Sequence, residues 1–222
     1  MPVWKLIIAL PLTVWCNAQA KMLDPIARKL IDKPLDALAN RISIKISANS
    51  ITIMGFFIGI LSFIAIIKGQ LTLALVFLTL NRLCDGLDGA VARRQTPSDL
   101  GAYLDILADF ILWALLPLGF VFYAPQNAFA AALLLASFAM SMSAFLAFAM
   151  MAEKRGLTTE AQGKKGIYYL SGLAEGTETI AFFALVMIRP DWFIPAALFF
   201  AGLVFLSVIG RLIVSVKVLR EV

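Results

Sequence analysis

The chain has no histidine in its 222 residues and two cysteines, Cys16 and Cys84, far apart in sequence. Without His there is no imidazole acid, no imidazole proton relay and no His-ligated zinc. Two distant thiols point to neither a disulfide nor a Cys-bound metal. Charge is also scarce: Asp, Glu, Lys and Arg make up 15%, against about 25% in a soluble domain. No polar stretch is longer than a loop, which excludes a separate hydrophilic domain. Apolar residues fill the space, at 61% hydrophobic with a mean hydropathy of +0.90. Runs of that length have no use in a soluble core, so the chain is read as an integral membrane protein. The formal charge of +5 raises nucleic acid as a partner. In this setting basic residues meet anionic membrane lipids instead, and no nucleic acid is expected.

Residues 51–67, 71–81, 128–152 and 192–210 are the plain apolar runs. Two further spans, near 102–122 and 167–188, exist only if buried acids are accepted: Asp105 and Asp109 in one, Glu175 and Glu178 in the other. The second run likewise reaches membrane length only through residues 82–88, with Asp85 and Asp88. The reading is an all-α integral membrane fold of six transmembrane helices over residues 46–222. Residues 1–45 precede it as an N-terminal extension and a cytoplasmic amphipathic segment. In 22–45, Ile26, Leu30, Leu35, Leu38 and Ile42 stand among Arg28, Lys29, Lys33, Arg41 and Lys45, as in a basic interfacial helix on the membrane surface. Residues 1–21 end in Ala18-Gln19-Ala20 like a secretory signal. They are read as an interfacial extension or an early start, because cleavage there contradicts the orientation. With both termini in the cytoplasm, every Lys and Arg except Lys68 and Arg189 lies on that side or on helix ends beside it. A bacterial inner membrane is the expected location.

The chemistry-bearing stretch is Asp85-Gly-Leu-Asp88-Gly89-Ala-Val-Ala92-Arg93, continued by Gly101-Ala-Tyr-Leu-Asp105-Ile-Leu-Ala-Asp109. Asp85 and Asp88 are three apart and Asp105 and Asp109 four apart, so each pair projects from one helical face. A short connection makes the two helices antiparallel neighbours, and all four carboxylates can converge. Unpaired, they would repel strongly at membrane depth. A hard divalent cation, or two, resolves the conflict, and oxygen-only ligation favours Mg²⁺ or Mn²⁺. Gly86 and Gly89 leave the helix surface bare for a bulky group, and Arg93 offers a fork of donors to phosphate.

These residues resemble the signature of the CDP-alcohol phosphotransferases, D-x2-D-G-x2-A-R followed by G-x3-D-x3-D. Asp85, Asp88, Gly89, Ala92, Arg93, Gly101, Asp105 and Asp109 match it position by position, and residues 94–100 form a gap one residue shorter than usual. The resemblance implies a six-helix membrane enzyme of phospholipid biosynthesis that joins a CDP-linked lipid or alcohol to an acceptor hydroxyl and releases CMP. It implies metal ligation by Asp85, Asp88, Asp105 and Asp109, with two Mg²⁺ or Mn²⁺ ions expected. It also implies that Asp109 acts as general base, and that Gly89, Ala92, Arg93 and Gly101 hold nucleotide and phosphate. Asn49 and Thr52 resemble the family's polar start of the first helix, and serve equally as a plain N-terminal cap. A cation transporter or a metal-dependent prenyltransferase would also bury acids. The acids cluster at one face without repeating between halves, which disfavours the first. The Gly89-Ala92-Arg93 arrangement disfavours the second.

Glu175 and Glu178 share a face in the fifth span and, with Lys164 and Lys165 at its entrance, are expected to line the acceptor half of the site; pairing with Arg82 is the alternative. The acceptor stays open among sugar-alcohol phosphates, serine, phospholipids and polar alcohols. Gly55-x3-Gly59 reads as close packing within the bundle more than as the seam of a homodimer. Cys84 reads as filler, and the Phe residues of 182–205 as lipid-facing.

Overall fold

The computed structural model describes residues 34–96, 98–156 and 176–221. Among them the structure is helical throughout: α1 (34–42), α2 (Ala48–Ile67), α3 (Leu71–Ala92), α4 (Asp99–Tyr123), α5 (Ala128–Lys154), α6 (Gly176–Ile188) and α7 (Phe193–Glu221). Short 3-10 turns, Pro125–Asn127 and Pro190–Trp192, lead into α5 and α7. Residues 1–21, the first part of the amphipathic segment, Lys164, Lys165 and Glu175 lie outside the described residues.

Local chemistry sets the helix ends. The Ser47 hydroxyl accepts from the Ser50 N–H at 3.2 Å and caps α2, so Asn49 is not the cap. Ser98 caps α4 in the same way at 3.1 Å from the Gly101 N–H, with Asp99 in the positively polarised first turn. The α2–α3 turn is tight enough to put Gly69 at φ +71°, a conformation that favours glycine.

Among the described residues, four segments are long and apolar enough to cross a bilayer: Ala48–Ile67, Asp99–Tyr123, Pro125–Lys154 and Pro190–Arg220. The chain is therefore an integral membrane protein. Helix α3 has the length, with 22 residues, but carries Arg82, Asp85 and Asp88. The described part of α6 has 13 residues.

Helix α2 packs against both α3 and α4, and α5 packs along α7. Glycines allow these close approaches. A Cβ on Gly55 would stand 2.8 Å from the Cβ of Cys84 on α3, and one on Gly59 would stand 2.5 Å from the methyls of Leu112 on α4. The Gly55-x3-Gly59 pair is thus used inside the bundle, and Cys84 fills the space opposite it. Helices α3 and α4 hardly meet backbone to backbone. The expected direct pairing is replaced by a gap, held open because α2 grips both helices.

The Phe residues of 182–205 are not simply lipid-facing. Phe182, Phe183, Phe193 and Phe200 are buried, whereas Phe199 is 70% exposed. Phe182 stacks on Phe200 at 5.0 Å, Phe120 on Phe193 at 4.6 Å and Trp113 on Phe183 at 6.0 Å. Lipid tails are as apolar as these rings, so hydrophobicity does not distinguish the two environments. Close packing between helices does, through dispersion and ring geometry.

Candidate active site

The gap between α3 and α4 is a narrow cavity of about 10 Å³, room for about one water-sized group. Thr52, Gly55 and Phe56 of α2 wall it, together with Asn81, Arg82, Asp85 and Asp88 of α3 and Asp105, Ala108 and Asp109 of α4. All four acids of the motif therefore face one space. They do so because α3 carries its pair at i, i+3 and α4 at i, i+4, and α2 turns both faces inward.

The four are not equivalent. One oxygen each of Asp85, Asp88 and Asp105 lies within 4.8 Å of the others. A Mg²⁺ or Mn²⁺ with ligand distances of about 2.1 Å spans roughly 4.2 Å between opposite ligands, so a small contraction closes this triad on one ion. The donors are hard oxygens only, as such an ion requires. The residues fit a divalent metal, and the triad could hold one.

Asp109 is engaged differently. Its Oδ1 accepts from Arg82 Nη2 at 2.7 Å, while Arg82 Nη1 lies 3.7 Å from Asp85 Oδ2. Arg82 Nε donates to Asn81 Oδ1 at 2.7 Å, Asn81 Nδ2 donates to the Gly55 carbonyl at 2.9 Å, and the Trp113 ring centroid lies 5.0 Å from Arg82 Cζ. Asp88 is buried and receives the Thr52 hydroxyl at 2.5 Å. Thr52 is thus a support of a carboxylate, and Asn49 lies beside Gly101, where a Cβ would stand 2.7 Å from Asn49 Oδ1.

A second layer closes over the loop end of α3. Leu35, Ala39 and Ile42 of α1 pack on Ile51, Ala90 and Val91, and Leu38 is exposed. The surface expected to lie bare at Gly86 is covered instead, since a Cβ there would meet Leu35 Cδ1 at 2.7 Å. Gly89 is more open, with the Arg93 guanidinium 3.7 Å from its Cβ position. Arg93 Nη2 lies 3.5 Å from Asp36 Oδ1 and 58% of its side chain is exposed. Arg94 binds the same oxygen at 3.0 Å and also Asn40 Oδ1 at 2.5 Å and the Ala90 carbonyl at 2.7 Å. The Arg94 hydrogen bond holds the Asp36 carboxyl below the ordinary value of 3.8. Gln95 donates to the Ser43 and Ile46 carbonyls at 2.7 and 2.9 Å and accepts from the Ala48 N–H at 3.1 Å. Ala92 ends α3 beside these contacts.

Glu178 is half-buried in the first turn of α6, which packs against α3 and α7, and is not in the lining of the acid cavity. The cation suggested as its partner, Arg82, is paired with Asp109. Sequence reasoning missed Arg82 as a member of the site, although its place three residues before Asp85 was a usable signal. It also missed Arg94 and Gln95, whose partners outside α3 lie more than 45 residues away.

A second, apolar cleft of about 110 Å³ adjoins the acid cavity. It is lined by Thr52, Ile53, Phe56, Leu104, Leu107, Ala108 and Ile111, and shares Thr52, Phe56 and Ala108 with that cavity.

The family model for CDP-alcohol phosphatidyltransferase matches residues 45–201. The chain is 44% identical over 167 residues to the inner membrane protein YnjF of Escherichia coli strain K12, covering 75% of this chain and 81% of that one. Its fold is similar to the crystal structure of Mycobacterium tuberculosis phosphatidylinositol phosphate synthase (PgsA1) with CDP-DAG bound, at a TM-score of 0.63 and 17% identity. That likeness covers 80% of this chain and 91% of the other. These matches leave the transporter and prenyltransferase readings without support. The chain belongs to the CDP-alcohol phosphatidyltransferase family, and is a phospholipid-biosynthesis enzyme that transfers a substituted phosphate group.

Proposed function

We propose that the enzyme moves a phosphatidyl group from CDP-diacylglycerol to an acceptor hydroxyl and releases CMP. The observation that carries this reading is the apolar cleft between α2 and α4, which opens directly beside the acid cavity. A donor with a polar diphosphate and acyl chains needs both environments side by side. The structural neighbour bound to CDP-DAG supports the same donor class.

In the reaction the acceptor oxygen attacks the phosphorus nearest the diacylglycerol, and the bond from that phosphorus to the oxygen of CMP breaks. Asp109 takes the acceptor proton through Oδ2, its Oδ1 being held by Arg82. Asp85, Asp88 and Asp105 would hold a Mg²⁺ or Mn²⁺ ion. Such an ion offsets the negative charge of the diphosphate and of the departing CMP. A second ion would need Asp109, whose Oδ1 is already engaged. Arg93, exposed at the cavity's loop end beside Gly89, leaves Asp36 to grip a phosphate oxygen. Gly101 and Asn49 are assigned to the nucleotide and Glu178 of α6 to the acceptor, and Glu175, Lys164 and Lys165 are assigned to the acceptor from the sequence alone.

The same reading places the protein in a bacterial inner membrane with six crossings, α3 and α6 joining the four apolar spans, and both termini in the cytoplasm. Helix α1 lies on that face as an interfacial helix. CDP-lipid, acceptor alcohol and membrane lipid are then the partners.

The test is CMP release by the purified full chain given CDP-diacylglycerol, Mg²⁺ or Mn²⁺ and a panel of acceptors. Release that depends on one acceptor and yields a new phosphodiester supports the reading. No release with any acceptor, from protein that is folded and binds metal, overturns it.

A further inference from the structure

Arg82 is a cation planted among four carboxylates, and its anchors are largely neutral. Asn81, 3% exposed, holds Nε, and is itself fixed to the Gly55 carbonyl of α2. Trp113 of α4 lies under the guanidinium at 5.0 Å. Only 13% of the Arg82 side chain is exposed. Contacts from α3 and α4, with α2 bracing Asn81, therefore keep the guanidinium in place whether or not an ion is present. Its strongest charged contact, 2.7 Å, goes to Asp109, and the contact to Asp85 is a full ångström longer at 3.7 Å.

We infer that Arg82 is a positioning residue that stands in for a second divalent ion: it orients Asp109, and the cavity takes one ion, on Asp85, Asp88 and Asp105. A second ion on Asp109 would have to bind a carboxylate whose Oδ1 already holds the guanidinium at 2.7 Å, and the two cations repel at that range. The three remaining carboxylates already form a group of ion-ligating spacing. The planar fork has a second consequence. The guanidinium is itself held by Asn81 and Trp113, so Nη2 offers Oδ1 a donor of fixed direction and restricts how the carboxylate turns. Lysine, a point charge on a flexible stem, would pair with Asp109 without fixing its plane.

The role of Asp109 as proton acceptor rests on the transfer reading above, whereas the number of ions does not. The test is a Mn²⁺ titration of the full-length protein in detergent, followed by electron paramagnetic resonance, without substrate. The wild type should take one ion per chain. Asp105→Asn should lose it, and Asp109→Asn should keep it with an affinity within about threefold, since Asp109 is not a ligand. Arg82→Gln should take a second ion. Arg82→Lys should keep one ion and lose kcat by about a hundredfold, with KM for CDP-lipid within about twofold of wild type.

Two ions in the wild type, or loss of the ion in Asp109→Asn, overturns the inference. So does an Arg82→Lys enzyme with wild-type kcat. If Arg82→Gln does not fold, the wild-type and Asp109→Asn ion counts decide. If the counts are as expected but no acceptor gives CMP, the transfer reading fails and the one-ion site stands.

Discussion

Replacing Thr52 by Val tests whether this hydroxyl supports the metal triad or touches nucleotide. The two side chains have the same shape, so the change removes one O–H and leaves a methyl against Asp88. The Thr52 hydroxyl lies 2.5 Å from Asp88 Oδ2 and 3.2 Å from the Ala48 carbonyl, and Thr52 and Asp88 are only 9% and 6% exposed. At that length its single proton belongs to the carboxylate, in the range of a charge-assisted bond. Losing such a bond where water cannot replace it costs about 1.5–3 kcal/mol. For a chain of this length that lowers the unfolding midpoint by roughly 3–12 °C. A carboxylate released from its orienting donor should also bind metal about tenfold more weakly. The assays are thermal unfolding in detergent and Mn²⁺ titration, with Thr52→Ser as the conservative control that keeps the hydroxyl. Wild-type midpoint and metal affinity in Thr52→Val, combined with a raised KM for the CDP substrate, would refute the support role and assign Thr52 to the nucleotide.

Other outcomes follow from the same geometry. Chelation should stop turnover, and Asp85→Asn or Asp105→Asn should lower kcat by about 10²–10³-fold without unfolding the protein; a chelated enzyme at full rate counts against the metal site. Asp36 should hold α1 against Arg93 and Arg94 at all ordinary pH. Its folded pKa lies below the unfolded 3.8, so the stabilisation is complete above that value and lost only as pH falls through the folded one. Trypsin cleavage after Arg41, divided at each pH by the rate on an unfolded control peptide, should then be flat between about pH 5 and 8 and faster in Asp36→Asn; equal rates in both proteins would show that α1 docks without this pair. Glu178→Gln should raise the acceptor's KM while leaving that of CDP-lipid unchanged, and parallel changes in both would point to a structural role. Gly59→Ala puts a methyl 2.5 Å from Leu112, a side chain 1% exposed, and should cost about 1–3 kcal/mol in thermal unfolding; an unchanged midpoint would mean that α2 and α4 can part at no cost.

The sequence by itself determined the membrane class, the helix positions and the four acids, because these depend on local periodicity. An apolar run of about 20 residues must be helical in lipid, where each backbone group needs a partner within the segment. Acids three or four apart on such a helix must share a face, so Asp85 with Asp88 and Asp105 with Asp109 could be paired from spacing alone. Periodicity does not say which helix lies opposite a face, and everything that differed from expectation depends on that. The Thr52–Asp88 bond joins residues 36 apart, Arg82–Asp109 joins residues 27 apart, and Arg94–Asp36 joins residues 58 apart. The bare surface at Gly86 belongs to Leu35, and Phe182, Phe183, Phe193 and Phe200 stack inside the bundle where their composition suits lipid equally well. Only the tertiary structure decided these matters: in a membrane, hydrophobicity no longer separates inside from outside, and the choice of neighbour falls to close packing around glycines and to the few polar groups that must find partners.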